Sequence, residues 1–301
     1  MSAARLPDVW PHRGASELVS AGGVSWHVQR FGAGPALLLV HGTGASTHSL
    51  RELASLLCGE FEIVMADLPG HGFSGEMETP GLPNVAGALG ALMRRIGVKP
   101  EIAAGHSAGA AVALRMALDG AIRPAAVVGL CPALQPYGGA ADGLASKLVR
   151  VALLNPLTPR LFAMRADERR VVRLIAKTGS NLDEEGVALY TRLLKRPAHI
   201  AGTLRLMAHW RLRPLSEDLP RLTAHSVMVA GARDRATPPG QVEAAARRIP
   251  NCETIRLEGL GHLAHEEDPA AAAAVIRAAA RGAGLVSTDR QDARRLAGGG
   301  A

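Results

Sequence analysis

Gly105-His106-Ser107-Ala108-Gly109 joins a short apolar run, Ile102-Ala103-Ala104, to a run of helical period from Ala110 to Leu118. A serine at such a junction sits where a strand turns sharply into a helix, which is the G-x-S-x-G pattern of a nucleophile elbow. The turn strains the serine backbone and pushes its hydroxyl out at the top of a sheet. Side chains two residues to either side would meet the neighbouring strand and helix, which accounts for Gly105 and Gly109. Ala108, first in the helix, offers a backbone N–H at the positive end of the helix dipole, suited to a developing oxyanion.

Upstream of this turn, Glu17 to Phe31 reads as a β hairpin turning at Ala21-Gly22-Gly23. Ala36 to Val40 is apolar at every position, as a strand buried on both faces requires. Helical spacing from Leu50 to Leu57 follows. Glu62 to Ala66 is another buried strand, ending in Asp67-Leu68-Pro69-Gly70-His71-Gly72-Phe73-Ser74, and a helix from Val85 to Ile96 leads to the elbow strand. Downstream, Ala125 to Leu130 reads as a strand. From Gln135 to Pro220 there is no apolar strand run, only basic amphipathic helical stretches broken by Asn155-Pro156, Thr158-Pro159, Thr178-Gly179 and Arg196-Pro197. Strands resume at Val227 to Ala230 and Thr254 to Leu257, with a helix from Gln241 to Ile249 between them. A last helix is started by Asp268 as N-cap with Pro269 at its first position. Strands alternating with helices predict an α/β fold, a mostly parallel sheet covered by helices on both faces and interrupted by a helical cap. The expected division is a core of residues 1–134 and 221–282, a cap of 135–220, and a flexible, glycine-rich tail of 283–301.

A chain of 301 residues, 48% hydrophobic, can hold one large α/β domain with an insertion or two smaller domains. Aromatic residues at 3% leave few stacking platforms, so no nucleic-acid partner is expected. Cys58, Cys131 and Cys252 lie far apart, with neither metal spacing nor an even count for disulfides. The first residues lack the apolar core of a signal peptide and no run is long enough to span a bilayer, so a cytoplasmic location is expected. The net charge of +7 is concentrated in the cap, where 14 Lys and Arg stand against 8 Asp and Glu. Arg165, Arg169, Arg170 and Arg173 recur at helical spacing, as do Arg192, Lys195 and Arg196, among Leu153, Leu154, Leu157, Leu161, Phe162 and Met164. That pattern fits a solvated basic face over ordinary helix packing. It also fits a lining for an amphipathic anionic ligand, with peripheral membrane contact through the same cap.

A serine hydroxyl is a weak nucleophile at neutral pH and needs a base beside it, oriented by an acid. Both partners are expected on loops at the carboxyl ends of later strands, in the order Ser, Asp, His. Asp234 follows the strand Val227 to Ala230 through Gly231-Ala232-Arg233, and His262 follows Gly259-Leu260-Gly261 after the strand that ends at Leu257. Alone, Asp234 reads as a loop acid paired with Arg233 or Arg235, and His262 as a helix-start histidine. Placed together after an elbow, they predict a triad of Ser107, His262 and Asp234. The loop His41-Gly42-Thr43-Gly44 supplies a second oxyanion donor, Thr43 N–H, opposite Ala108 N–H. His41, Gly42, Gly44 and His106 are candidate substrate-binding residues, although His41, like His71, also reads as a turn hydrogen-bonder. No Gly-Lys-Ser or Gly-Lys-Thr follows that loop, no dinucleotide fingerprint occurs, and no carboxylate–histidine set completes a metal site around His262 and His265. Neither cofactor nor metal is expected.

His41-Gly42-Thr43-Gly44, the Asp67 to Ser74 turn, the Ser107 elbow, Gly231-Ala232-Arg233-Asp234, and Gly261-His262 with Glu266 and Pro269 resemble the α/β hydrolase superfamily in order and spacing, over residues 17–281. The resemblance implies an α/β hydrolase fold with an eight-stranded sheet, and a serine hydrolase acting on a small-molecule ester or similar acyl bond through an acyl-enzyme. Ser107 stands where dehalogenases and epoxide hydrolases carry an aspartate, which argues against those chemistries. More narrowly, Trp10-Pro11-His12-Arg13, Ala21 to Arg30, and His41 to Ser49 resemble the magnesium-chelatase accessory proteins of bacteriochlorophyll biosynthesis. That likeness implies a role in photosynthetic pigment synthesis, with magnesium chelatase subunits as partners and a porphyrin held under the cap. Two readings follow, a hydrolase and a non-catalytic porphyrin-binding accessory protein.

Overall fold

The first hairpin pairs β1 (Ser16–Ala21) with β2 (Val24–Gly32) across Gly22 and Gly23, both at positive φ. These come from a computed structural model that describes residues 6–135, 155 and 157–285. Most of the expected tail, and Leu153 and Leu154 of the cap, lie outside the described residues. The chain continues through β3 (Ala36–Val40), α1 (Arg51–Leu57), β4 (Glu62–Ala66), α2 (Leu82–Arg95), β5 (Ile102–His106), α3 (Ala108–Leu118) and β6 (Ala126–Leu130). Five helices then follow with no described strand between them: α4 (Leu157–Met164), α5 (Glu168–Lys177), α6 (Glu184–Leu194), α7 (Pro197–His209) and α8 (Arg213–Asp218). The sheet resumes with β7 (His225–Gly231), α9 (Pro239–Ala246) and β8 (Cys252–Leu257), and α10 (Ala264–Glu267) and α11 (Pro269–Gly282) close the described chain.

All eight strands form one sheet in the order β1-β2-β4-β3-β5-β6-β7-β8. β2 runs antiparallel to β1 and β4, and every other pairing is parallel. The unbroken apolar runs now have their cause, because the central strands bury both faces. Leu37, Leu39, Ala104, Val128 and Val229 pack with the inner residues of α1 and α11, while Leu38, Val40, Ala103, Val127 and Met228 pack with those of α2, α3 and α9. At the edge, β8 is half exposed and polar, and it starts two residues before its apolar run. Helix α2 starts at Leu82, ahead of its periodic run, because Pro83 fits a first turn. Asp268 Oδ1 accepts the Ala271 N–H at 2.9 Å, the expected cap of α11. No described helix is long and apolar enough to cross a membrane.

Candidate active site

Ser107 sits between β5 and α3 with φ 51° and ψ −115°, a left-handed backbone that costs a non-glycine residue about 1–3 kcal/mol. Its N–H donates to Leu130 O at 3.0 Å, and its carbonyl accepts from Ala110, Ala111 and Ala133, so the strain is held from three sides. A Cβ at Gly105 would collide with the backbone of Gly109, and one at Gly109 with the carbonyls of Val40 and His41. Only glycines let the helix start this close to β5 and β3. Ser107 itself is 6% exposed, and among the described residues no protein group hydrogen-bonds its Oγ.

Asp234 and His262 come from different loops and meet. His262 Nδ1–H donates to Asp234 Oδ2 at 2.8 Å. Thr237 Oγ1–H donates to the same oxygen at 2.6 Å, and the N–H groups of Ala236 and Thr237 donate to Oδ1 at 2.7 and 2.8 Å. Burial pushes the Asp234 carboxyl up, but the hydrogen bond and charge of His262, joined by Thr237, outweigh it and hold the group below the ordinary carboxylate range. With Nδ1 donating, His262 Nε2 is left as a proton acceptor. The elbow and the histidine loop are tied together by His106, whose Nε2–H donates to His262 O at 2.9 Å and whose ring stands 4.7 Å from the His262 ring.

The loop after β3 crosses beside the elbow. Thr43 is partly exposed, and among the described residues neither its N–H nor that of Ala108 donates to a protein group. Gly42 has no room for a side chain, since a Cβ there would meet His106 Nδ1 at 2.7 Å and Ser107 Cβ at 3.1 Å. His41 and His106 stand behind this loop rather than in front of it. His41 is wholly buried, its Nδ1–H on Gly42 O at 2.8 Å and its Nε2 accepting from Leu68 N–H at 2.8 Å. Both rings therefore brace backbone. Asp67 clamps the same loop to the following turn, accepting from His27 Nδ1 at 2.7 Å, Thr47 N–H at 2.7 Å and Phe73 N–H at 2.8 Å. Burial opposes its charge, yet His27 and these donors hold its carboxyl well below the usual range.

The cap reaches this site at two places. His199 of α7 accepts Gly72 N–H at Nδ1, 3.0 Å, and donates from Nε2 to Gly44 O, 3.1 Å. Burial lowers its pKa to about 4, so it stays neutral and keeps both bonds. Gly202, one turn on, packs backbone to backbone against Gly70. At the other end, the turn between α5 and α6 wedges between the acid and histidine loops. Ser180 Oγ accepts Leu263 N–H at 2.8 Å, Arg235 N–H donates to Thr178 O at 3.0 Å, and Gly179 fits under Arg233 only because it lacks a side chain. Behind the histidine loop, Glu266 is buried and accepts from Tyr190 Oη at 2.8 Å, and burial pushes its carboxyl up to about 8. Sequence reasoning missed Thr237, Ser180 and His199. Only Thr237 left a local trace, three residues after the acid it holds.

Cys131 Sγ also lies within 4.8 Å of ligand atoms on Asp234 and His262. The site does not suit a metal: Asp234 and His262 are bonded to one another, and burial pushes the Cys131 thiol far above its ordinary range, away from the thiolate a metal needs.

Among known sequences, the profile of the alpha/beta hydrolase family matches residues 37–275. The magnesium-chelatase 30 kDa subunit of Rhodobacter capsulatus is 39% identical over 266 residues, covering 87% of this chain and 93% of that protein. A pimeloyl-[acyl-carrier protein] methyl ester esterase of Stenotrophomonas maltophilia is 29% identical over 258 residues, covering 82% of this chain and 94% of its own length. Among solved structures, a thermophilic esterase from Thermogutta terrifontis superposes with a TM-score of 0.72 at 22% identity, covering 88% of this chain and 97% of that one, which speaks for the fold alone. An eight-stranded sheet of this order and a family match across most of the chain agree: the protein is a member of the alpha/beta hydrolase family.

Proposed function

We propose that this chain is a serine hydrolase that cleaves an ester or similar acyl bond through an acyl-enzyme. The observation that carries the reading is the 2.8 Å bond between His262 and Asp234, made beside a serine held in a strained turn. Ser107 Oγ attacks the carbonyl carbon while His262 Nε2 takes its proton. Asp234 fixes the tautomer and stabilises the imidazolium. The N–H groups of Thr43 and Ala108 receive the oxyanion, and His262 returns the proton to the leaving oxygen. Water then repeats the sequence on the acyl-serine. The likeness to a methyl ester esterase supports an ester as the bond broken.

Ser107→Ala is expected to abolish labelling by a fluorophosphonate probe and to lower turnover of a simple ester on the order of 10⁴-fold or more, with unfolding unchanged. Undiminished turnover by the purified variant would sink the serine mechanism.

The 39% identity to a protein named as a magnesium-chelatase subunit favours a second reading, in which the chain serves the magnesium chelatase step with a porphyrin as ligand and chelatase subunits as partners. Ser107→Ala separates the two. A pure accessory protein keeps its effect on magnesium insertion in that variant, whereas a hydrolase acting in the same pathway loses it.

A further inference from the structure

Among the described residues, six of the nine large apolar side chains left exposed lie on two consecutive cap helices, the others being Val9, Leu56 and Met207. Leu157, Leu161 and Met164 of α4 are 59, 52 and 82% exposed at spacings of four and three, a stripe along one face. Phe162 of α4 and Leu174 of α5 lie beside it, each more than two-fifths exposed, while Val172 of α5 faces a separate concavity with Glu168 and Arg169. Between the helices runs a groove of about 240 Å³, floored by Phe162, Leu174 and Leu194 and rimmed by Arg165, Arg170, Arg173 and Lys177.

The charge on this face is one-sided. From Leu157 to Lys177 there are six cations and two carboxylates, Asp167 and Glu168. The nearest carboxylate to Arg170 is Asp167 at 3.9 Å, and among the described residues no carboxylate pairs with Arg165, Arg173 or Lys177. Asp167 is occupied in capping α5, accepting Arg170 N–H at 2.8 Å.

A face kept only for solubility would be polar throughout, and a partner recognised by charge alone would leave the α4 stripe against polar atoms. Apolar side chains flanked by arginines match the boundary between lipid headgroups and acyl chains. There the stripe enters the acyl layer, the arginine stems lie along it, and the guanidinium forks take phosphate oxygens two at a time.

We propose that the α4–α5 face of the cap docks on a bilayer that carries anionic phospholipids. The proposal is independent of the serine mechanism.

Flotation with vesicles of phosphatidylcholine, alone or mixed with phosphatidylglycerol, tests it at low and high salt. Wild type is expected to float with the mixed vesicles at low salt and to be released as salt rises. Two double variants probe the two halves of the face, both at exposed positions where folding is undisturbed. Arg170→Glu with Arg173→Glu is expected to weaken partitioning by about 10-fold or more. Leu161→Ser with Met164→Ser is expected to weaken it by about 10-fold at unchanged charge. Ser107→Ala is expected to float like wild type, which keeps this test separate from the hydrolase reading. Equal flotation with neutral vesicles, no flotation with either kind, or flotation untouched by both double variants overturns the proposal. So does a wild type that ignores vesicles but is retained on a polyglutamate resin, which would assign the cations to an acidic protein.

Discussion

Asp234→Asn keeps an acceptor for the Ala236 and Thr237 N–H groups but turns an N–H toward His262 Nδ1, which can then no longer donate. The imidazole is forced to carry its proton on Nε2, the atom that the proposed mechanism uses as an acceptor. Turnover is expected to fall on the order of 10⁴-fold while the thermal midpoint stays close to that of wild type. Activity lost only in step with stability would mark Asp234 as a structural acid instead. Thr237→Val removes the hydroxyl that donates to Asp234 Oδ2 and leaves that oxygen short of a partner in a buried place. Its kcat is expected to drop by about 10-fold with KM little changed, and Thr237→Ser to restore it, since a shift of this size follows from losing one hydrogen bond worth about 1–3 kcal/mol. A serine variant as slow as the valine one would point to packing by the methyl group. Ser107, Asp234 and His262 could be proposed from the sequence because each lies on a turn or loop that follows a strand, and such loops show in a sequence as a run meeting glycine. His199 could not, because its partners Gly72 and Gly44 lie 127 and 155 residues away and nothing near it announces them.

Helix α7 and the turn that Asp67 organises touch through their backbones at Gly202 and Gly70, and a Cβ on either would strike the other. Gly202→Leu therefore pushes α7 off its seat, breaking the His199 bonds with it. A loss of about 2 kcal/mol or more is expected, read as a lower urea midpoint. An unchanged midpoint would mean that α7 is not seated on the core as described. Seats of this kind are invisible to periodicity, which registers apolar side chains and passes over the places where a side chain has been left out. Interior strands were legible for the opposite reason, since sheets buried on both faces demand unbroken Val, Leu, Ile and Ala. One-turn α10 is too short to establish a period at all, and edge strand β8 mixes polar residues into its run because half of it faces water.

Burial, ahead of every other cause, holds His41, His48, His71, His106, His199 and His265 below the ordinary histidine range of 6.5. The unfolded chain takes up protons near pH 6.5 that the folded chain refuses. Stability from this source is complete above pH 6.5 and is lost as pH falls through the folded values, about 4 for His199 and about 3 for His265. Each such histidine contributes a slope of about 1.4 kcal/mol per pH unit within that window. The urea midpoint is expected to fall steeply between pH 6.5 and 5, and a level midpoint across that span would contradict the buried, neutral state of these rings. Sequence alone registers eleven histidines and a basic balance, but which of them fold inward depends on contacts between the cap and the core. The turn at Thr178-Gly179-Ser180 gives those contacts a practical edge. Because this inserted segment supplies the acceptors for Arg235 N–H and Leu263 N–H, the cap is no interchangeable cassette. A chimera that exchanges it whole for a relative's, or a chain cut back to the sheet, loses the turn that bridges the Asp234 and His262 loops. Exchanges that leave Thr178 to Ser180 in place keep it, so the cap is better altered by point changes within α4 to α7 than by shuffling it whole.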